Sequence, residues 1–351
     1  MSRPTAAVVV CAYTLDRWDD LCDSLRSAAQ QETAPDELWL VVDHNDDLLD
    51  RARTQLMREL PALRVISNTR RRGLSGARNT ALEQVGAEIV VFLDDDASAE
   101  PGWLAALTAP YVDPDVIAVG GVAQPRWPQG SSRPVTLPSA RPDGSWAVRG
   151  ELDWVVGCTY AGQPTQRAAV RNLMGCNMSF RRQVFAELGG FSETLGRVGK
   201  VPLGCEETEL CIRATAQIAG AKIVMEPLAR VRHHVSPDRL TWSYLRRRCY
   251  AEGVSKAAVA AMVGRDSALS TERGYATRVL PAGVARELQL ATRGRLRRGL
   301  AAAAAIVLGF TATALGYARG RAGVRNINPT HPQLVLAPAM QLDPGAAQLT
   351  A

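Results

Sequence analysis

No C-x-x-C pair occurs in the 351 residues, and the seven cysteines (11, 22, 158, 176, 205, 211 and 249) are odd in number and scattered. That argues against a disulfide framework and for a reduced, cytoplasmic protein whose thiols sit inside apolar runs. A charged-then-apolar leader is also missing. Met1 leads almost directly into AAVVVCAY, so secretion by a signal peptide is not expected. No G-x-G-x-x-G comes after this first apolar run, which disfavours an NAD-dependent dehydrogenase.

The composition is that of an ordinary globular chain, 46% hydrophobic and 22% charged, with a net charge of +6. The charge is unevenly placed. From Leu240 to Arg325 there are 15 basic and 4 acidic residues, a balance of +11, which leaves −5 for the rest. A mildly acidic body with a basic extension suggests an anionic surface for the extension to meet.

Apolar strand-like runs alternate with helical periodicity in the first third. Ala6–Tyr13, Leu38–Val42, Leu63–Ile66 and Glu88–Leu93 read as strands. Helices are expected from Trp18 to Ala29 and from about Leu74 to Val85. Repeated βα units of this length predict an α/β fold with a doubly wound, mainly parallel sheet. Gln124–Gly150 is rich in Pro, Ser, Arg and Gly and reads as a long surface excursion. Further helices are expected near Arg181–Leu188, ended by Gly189 and Gly190, and over Glu206–Ile218. Short strands are expected at Lys222–Met225 and Ala229–Arg232.

Beyond Pro237 the chain becomes helical and Arg-rich. Gly299–Ala318 is a run of 20 uncharged residues flanked by Arg297, Arg298, Arg319 and Arg321. It is long enough to span a bilayer, but its Ala-rich composition favours an interfacial helix or one docked as a cap on the catalytic domain over a true span. The division expected is 1–236 for the α/β domain, 237–325 for a basic helical extension and 326–351 for a disordered tail.

Three consecutive carboxylates, Asp94, Asp95 and Asp96, close the Glu88–Leu93 run. At the carboxyl end of a strand they face the mouth of the sheet, where ligands of such folds bind. Their mutual repulsion is relieved by a divalent cation carrying a diphosphate. A solvated, helix-capping turn is the alternative. Tyr13 and Asp43 end the first two strands at the same mouth. Arg70–Asn79 places Gly73, Gly76, Arg78 and Asn79 at a helix amino terminus suited to a phosphate.

In this order, AAVVVCAYTLDRWDD, LWLVVD, FLDDD, GCNMSFRR (Gly175–Arg182) and LGCEETELCIRA (Leu203–Ala214) resemble glycosyltransferase family 2. These are inverting enzymes of the GT-A fold, and the resemblance spans roughly residues 5–255. It implies that Asp43 holds the nucleobase with Tyr13 near it, that Arg78 and Asn79 lie by the diphosphate, and that Asp94 and Asp95 contact ribose or sugar. Asp96 and His233 would ligate Mg2+ or Mn2+, with His234 as the competing neighbour for the second place. The general base would be Glu207 or Glu206, where the family usually has Glu-Asp, and Asn177 would line the acceptor side. Glu209 is expected to pair with Arg213, four residues on.

The implied activity is transfer of one sugar from a UDP- or dTDP-type nucleotide sugar to an acceptor hydroxyl on a lipid-linked, envelope-glycan or small natural-product acceptor. No Q-x-x-R-W motif of processive synthases is present. The location implied is cytoplasmic, with peripheral attachment to the inner face of an anionic membrane through the basic extension. Two alternatives compete with this activity. A nucleotidyltransferase of similar fold would carry a Gly-rich, Lys-containing loop where CAYTLDR stands. A basic membrane- or nucleic-acid-binding protein would act through the extension alone, but the few aromatics there and the acidic body argue against nucleic acid.

Overall fold

The computed structural model describes residues 3–139, 149–199 and 203–324. The tail expected to be disordered, and 140–148 of the expected excursion, lie outside the described residues. Among the described residues nine strands form one sheet: β1 (Ala6–Ala12), β2 (Glu37–Val42), β3 (Leu63–Ser67), β4 (Ile89–Asp94), β5 (Ala97–Ala99), β6 (Val116–Arg126), β7 (Ala168–Ala169), β8 (Asn177–Arg181) and β9 (Lys222–His234). The order is β3-β2-β1-β4-β8-β6-β9-β5, with β7 also on β9. The first four are parallel, β8 is reversed between β4 and β6, and β6 and β9 run parallel to each other.

Period-two alternation explains why both faces are covered. Val8, Val10, Leu40 and Val91 pack on one side with Leu21 and Leu25 of α1 (Trp18–Ala29) and with Trp103. Val9, Val41, Val90 and Phe92 pack on the other with Ala77 and Ala81 of α2 (Leu74–Leu82) and with Phe180, Phe185 and Phe191. The carboxyl ends of β1, β2 and β4 therefore share one edge, with Cys11 opposite Asp94 and Ala12 opposite Val42.

Two expectations are corrected. The two short strands expected near 222–232 are a single strand, β9, whose pairing with β6 passes two register shifts. β6 extends through Arg126 because its end pairs with His234 of β9, so the excursion begins later than expected. Within that excursion Ser139 bridges Gly150.

After Pro237 come α3 (Trp242–Val263), α4 (Leu280–Leu290) and α5 (Leu296–Val324). By length and composition α5 could cross a membrane, yet one of its faces is occupied. Ala305, Ile306 and Ala312 share a buried cluster with Leu152, Val155, Val156 and Leu245. Glycines let α3 and α5 touch at backbone distance: a Cβ on Gly253 would lie 2.0 Å from the Thr313 carbonyl oxygen, and one on Gly316 2.0 Å from that of Tyr250. Gly316→Val should therefore force the helices apart and destabilise the protein by about 1–3 kcal/mol. Thermal unfolding of the variant would read this, and an unchanged midpoint would refute the close packing.

Candidate functional site

A cavity of about 400 Å³ opens at the shared strand edge and is lined by Tyr13, Asp43, Arg78, Asp94, Asp95, Asp96, Glu206, Glu207 and His233. The acidic triplet and the paired glutamates, more than a hundred positions apart, meet through one side chain. The Arg78 guanidinium lies 2.8 Å from Glu206 Oε1 and 3.4 Å from Asp94 Oδ1, and donates to the Gly175 carbonyl at 2.8 Å. It is buried between the rings of Phe92 and Phe191, at 5.5 and 5.4 Å from their centroids. The loop before α2 packs back closely on its first turn, a Cβ on Gly76 falling 1.9 Å from the Arg71 carbonyl oxygen, and this sets the start of the helix that carries Arg78.

The segment after the triplet sets its shape. β5 pairs antiparallel with β9, setting Ala97 opposite His233, and the His234 N–H donates to the Asp96 carbonyl at 2.7 Å. Alternation along β9 then turns the His233 ring inward, with Nε2 3.2 Å from Asp96 Oδ1. His234 turns the other way, onto Asp20 at 2.6 Å. The His233 ring needs a residue without a side chain beside it, and Gly157, at φ +80°, supplies one: a Cβ there would sit 2.9 Å from the ring.

Asp94, Asp96 and His233 each present a ligand atom within 4.8 Å of the others. Two carboxylate oxygens and an imidazole nitrogen suit Mn2+ or Mg2+. Asp95 Oδ2, Glu206 Oε2 and His233 Nδ1 are buried without a hydrogen-bond partner, and all three residues line this cavity. Unpaired polar atoms gathered at one place are what a polar ligand would satisfy, so the residues fit a metal and its substrate.

Asp95 and Asp96 differ sharply. Burial lifts the Asp95 carboxyl to about 7, Arg17 at 3.0 Å opposing it while Asp96 and Asp94 add to it. Burial also works against ionisation of Asp96, but His233, Arg239 and Arg17 outweigh it and hold that carboxyl well below the usual range.

Glu206 and Glu207 open the helix Glu206–Gln217, whose dipole favours their charge. Cys205 precedes them at φ +73°, a strained conformation for a residue other than glycine. Arg78 engages Glu206, whereas no cation pairs with Glu207 among the described residues. Burial, then the charge of Glu206, raises the Glu207 carboxyl to about 8. Glu209 pairs with Arg213 at 2.7 Å, as the spacing predicts.

A family model described as glycosyl transferase family 2 matches residues 7–189, just over half of the chain. The glucosyl-dolichyl phosphate glucuronosyltransferase of Haloferax volcanii is 33% identical over 251 residues, covering 71% of this chain and 75% of that protein. The chain belongs to glycosyltransferase family 2. The succinoglycan biosynthesis protein ExoM of Rhizobium meliloti is 27% identical over 256 residues, or 70% of this chain and 71% of that one. Among solved structures, a mannosyltransferase from Pyrobaculum calidifontis in complex with GDP-Man and Mn2+ matches with a TM-score of 0.55 and 20% identity, over 89% of this chain and 88% of that one. The fold is of GT-A type.

Two expected site residues of this glycosyltransferase, Asn79 and Asn177, face elsewhere. Asn79 bonds both the Phe191 N–H and its carbonyl, together with Glu193, and secures that loop instead of reaching the diphosphate side. Asn177 is fully buried, accepting from Trp103 Nε1 at 2.9 Å and donating to the Ala229 carbonyl at 3.0 Å, so it ties the sheet together rather than meeting an acceptor. Two N–H groups at the helix terminus expected to hold a phosphate are already engaged: that of Gly73 donates to Asp43 and that of Leu74 to the Arg197 carbonyl.

Other residues escaped the sequence reading. Arg17 and Arg239 contact the triplet, and Arg197 lines the cavity with no acidic partner among the described residues. In a chain this rich in arginine, only proximity marks them. Arg78→Met should leave the buried Glu206 and the half-buried Asp94 without their shared cation, at a cost of about 3–5 kcal/mol. Chemical denaturation measures this, and a wild-type midpoint would show that Arg78 is not the tie between the two groups.

Proposed function

We propose that this glycosyltransferase moves one sugar, with inversion, from a UDP- or dTDP-type nucleotide sugar to a hydroxyl of an acceptor carried on a polyprenyl phosphate. The observation that carries the reading is the Glu207 carboxylate, without a cation partner among the described residues, in the same cavity as Asp94, Asp96 and His233. The acceptor class is taken from the relative in Haloferax volcanii, whose name describes a glucosyl-dolichyl phosphate as its acceptor.

Glu207 takes the proton of the acceptor hydroxyl as its oxygen attacks the anomeric carbon, and the nucleoside diphosphate departs from the opposite face. A carboxyl raised to about 8 is a stronger base than an ordinary glutamate, which suits the task. Glu206, held by Arg78, positions that guanidinium and leaves the proton to its neighbour. Asp94, Asp96 and His233 would hold Mg2+ or Mn2+, which stabilises charge on the leaving diphosphate when bound.

Asp95 Oδ2, buried and unpartnered, suits a ribose or sugar hydroxyl. Asp43 Oδ1 meets Asn68 and the His44 ring, and Oδ2 accepts only from the Gly73 N–H among the described residues, which leaves a lone pair for a pyrimidine imide. Tyr13 lines the base side under Arg17, and Arg197 is the cation available to the diphosphate. The outer face of α5, with Leu296, Leu300, Val307, Phe310 and Leu315 exposed between arginine clusters, suits peripheral attachment to the inner face of an anionic membrane.

Glu207→Gln should lower kcat by about 10²–10⁴-fold while nucleoside diphosphate binding persists, and Glu207→Asp should restore part of the rate. Since the deprotonated form is the base and its pKa is raised, kcat/KM should fall as pH drops through about 8. An unaltered rate and pH profile in Glu207→Gln would eliminate this base. Chelation should abolish transfer, and Asp96→Asn should remove the thermal shift given by a nucleoside diphosphate with Mn2+. Full activity in chelator would overturn the metal assignment.

A further inference from the structure

Part of the catalytic cavity's lining is apolar, an arm of the wall that the donor chemistry leaves unused. Its walls are Leu152, Trp154, Tyr244, Tyr275, Leu280 and Phe310, contributed by the 152–157 segment, α3, α4, α5 and the turn preceding α4. Phe310 belongs to two surfaces at once. It lines the cavity, and it is 49% exposed among the other outward apolar residues of α5, Leu300, Val307 and Leu315. The arm is thus continuous with the apolar strip that arginines flank at both ends.

Polar groups lie along the same wall. Arg171, Arg248 and Lys256 line it with Glu252 and Glu272, three cations against two carboxylates. At this level Gly253 abuts the Tyr317 backbone, where an added Cβ would fall 2.6 Å from its nitrogen. The Tyr317 hydroxyl is buried in the cavity wall and has no hydrogen-bond partner. A cationic excess and a spare hydroxyl donor beside an apolar passage match a ligand with a phosphate head and a long hydrocarbon chain.

We propose that this arm binds the isoprenoid chain of the lipid-linked acceptor. The chain leaves past Phe310 toward the bilayer, and its phosphate lies by Tyr317 and the Arg171–Lys256–Arg248 cluster. The proposal rests on the sugar-transfer reading and adds the site through which that acceptor is recognised. It also gives α5 a role in the reaction: the helix that meets the membrane surface forms one wall of the route by which a membrane-borne substrate reaches Glu207.

The test uses the full chain in detergent with two acceptors, a glycosyl phosphate on a long isoprenoid chain and the same glycosyl phosphate on a methyl group. Ala314, a small exposed residue at the cavity wall, is replaced by tryptophan to narrow the exit, and Phe310→Asp places a charge in the passage. Both variants should raise KM for the long-chain acceptor at least about tenfold, leaving kcat/KM for the methyl acceptor within about twofold. The thermal shift given by a nucleoside diphosphate with Mn2+ should not change. Equal effects on the two acceptors, or none on either, would overturn the chain site while leaving the sugar-transfer reading intact. Absence of transfer by the wild type to both acceptors would overturn both. Substitution of the isoprenoid by a straight alkyl chain of equal length separates specific recognition from general apolar binding: equal kcat/KM for the two chains would overturn the isoprenoid assignment.

Discussion

One buried guanidinium holds this site together. Arg78 sits where two like-charged groups from distant parts of the chain would otherwise repel each other in a poorly hydrated space, 2.8 Å from Glu206 and 3.4 Å from Asp94. Its third contact, to the Gly175 carbonyl, fixes the loop that enters β8. The pairing also divides the labour of the two glutamates. Glu206 gives its charge to Arg78, and that retained charge, after burial, helps raise Glu207 to about 8. Two adjacent residues of identical chemistry thereby acquire different tasks.

The metal side obeys similar logic with different parts. Three residues of antiparallel pairing between β5 and β9 set the distance between the acidic turn and His233. Strand alternation does the rest, turning one histidine to the cavity and its neighbour onto Asp20. Asp96 collects the cations while burial lifts Asp95 to about 7, so these two neighbouring carboxylates are tuned apart by burial and partners. The helices after Pro237 complete the enclosure. α5 packs one face on α3 and the catalytic core, leaves another exposed, and lines the cavity between the two.

Much of this could be read from residue order. The alternating βα pattern predicted the sheet and its crowded edge, and the Glu88–Leu93 run predicted the strand that delivers the triplet. Glu209 and Arg213 found each other by helical spacing alone. Direction was harder to read. Asn79 and Asn177 stand beside motif residues in the chain yet turn into the protein, because their amides satisfy buried backbone groups there. Arg17, Arg197 and Arg239 carry no local pattern that sets them apart from the many arginines around them.

The sequence by itself determined the parallel strand ends, the acidic turn and the glutamate pair, because periodicity and neighbouring chemistry are properties of short segments. Only the tertiary structure decided which histidine faces Asp96, which glutamate Arg78 claims, and that the apolar helix near the carboxyl terminus forms part of the cavity wall. Those outcomes depend on distances between residues as far apart as Arg78 and Glu206, 128 positions along the chain. Such distances are set by how the sheet and its helices close on one another, through the balance of burial and charge.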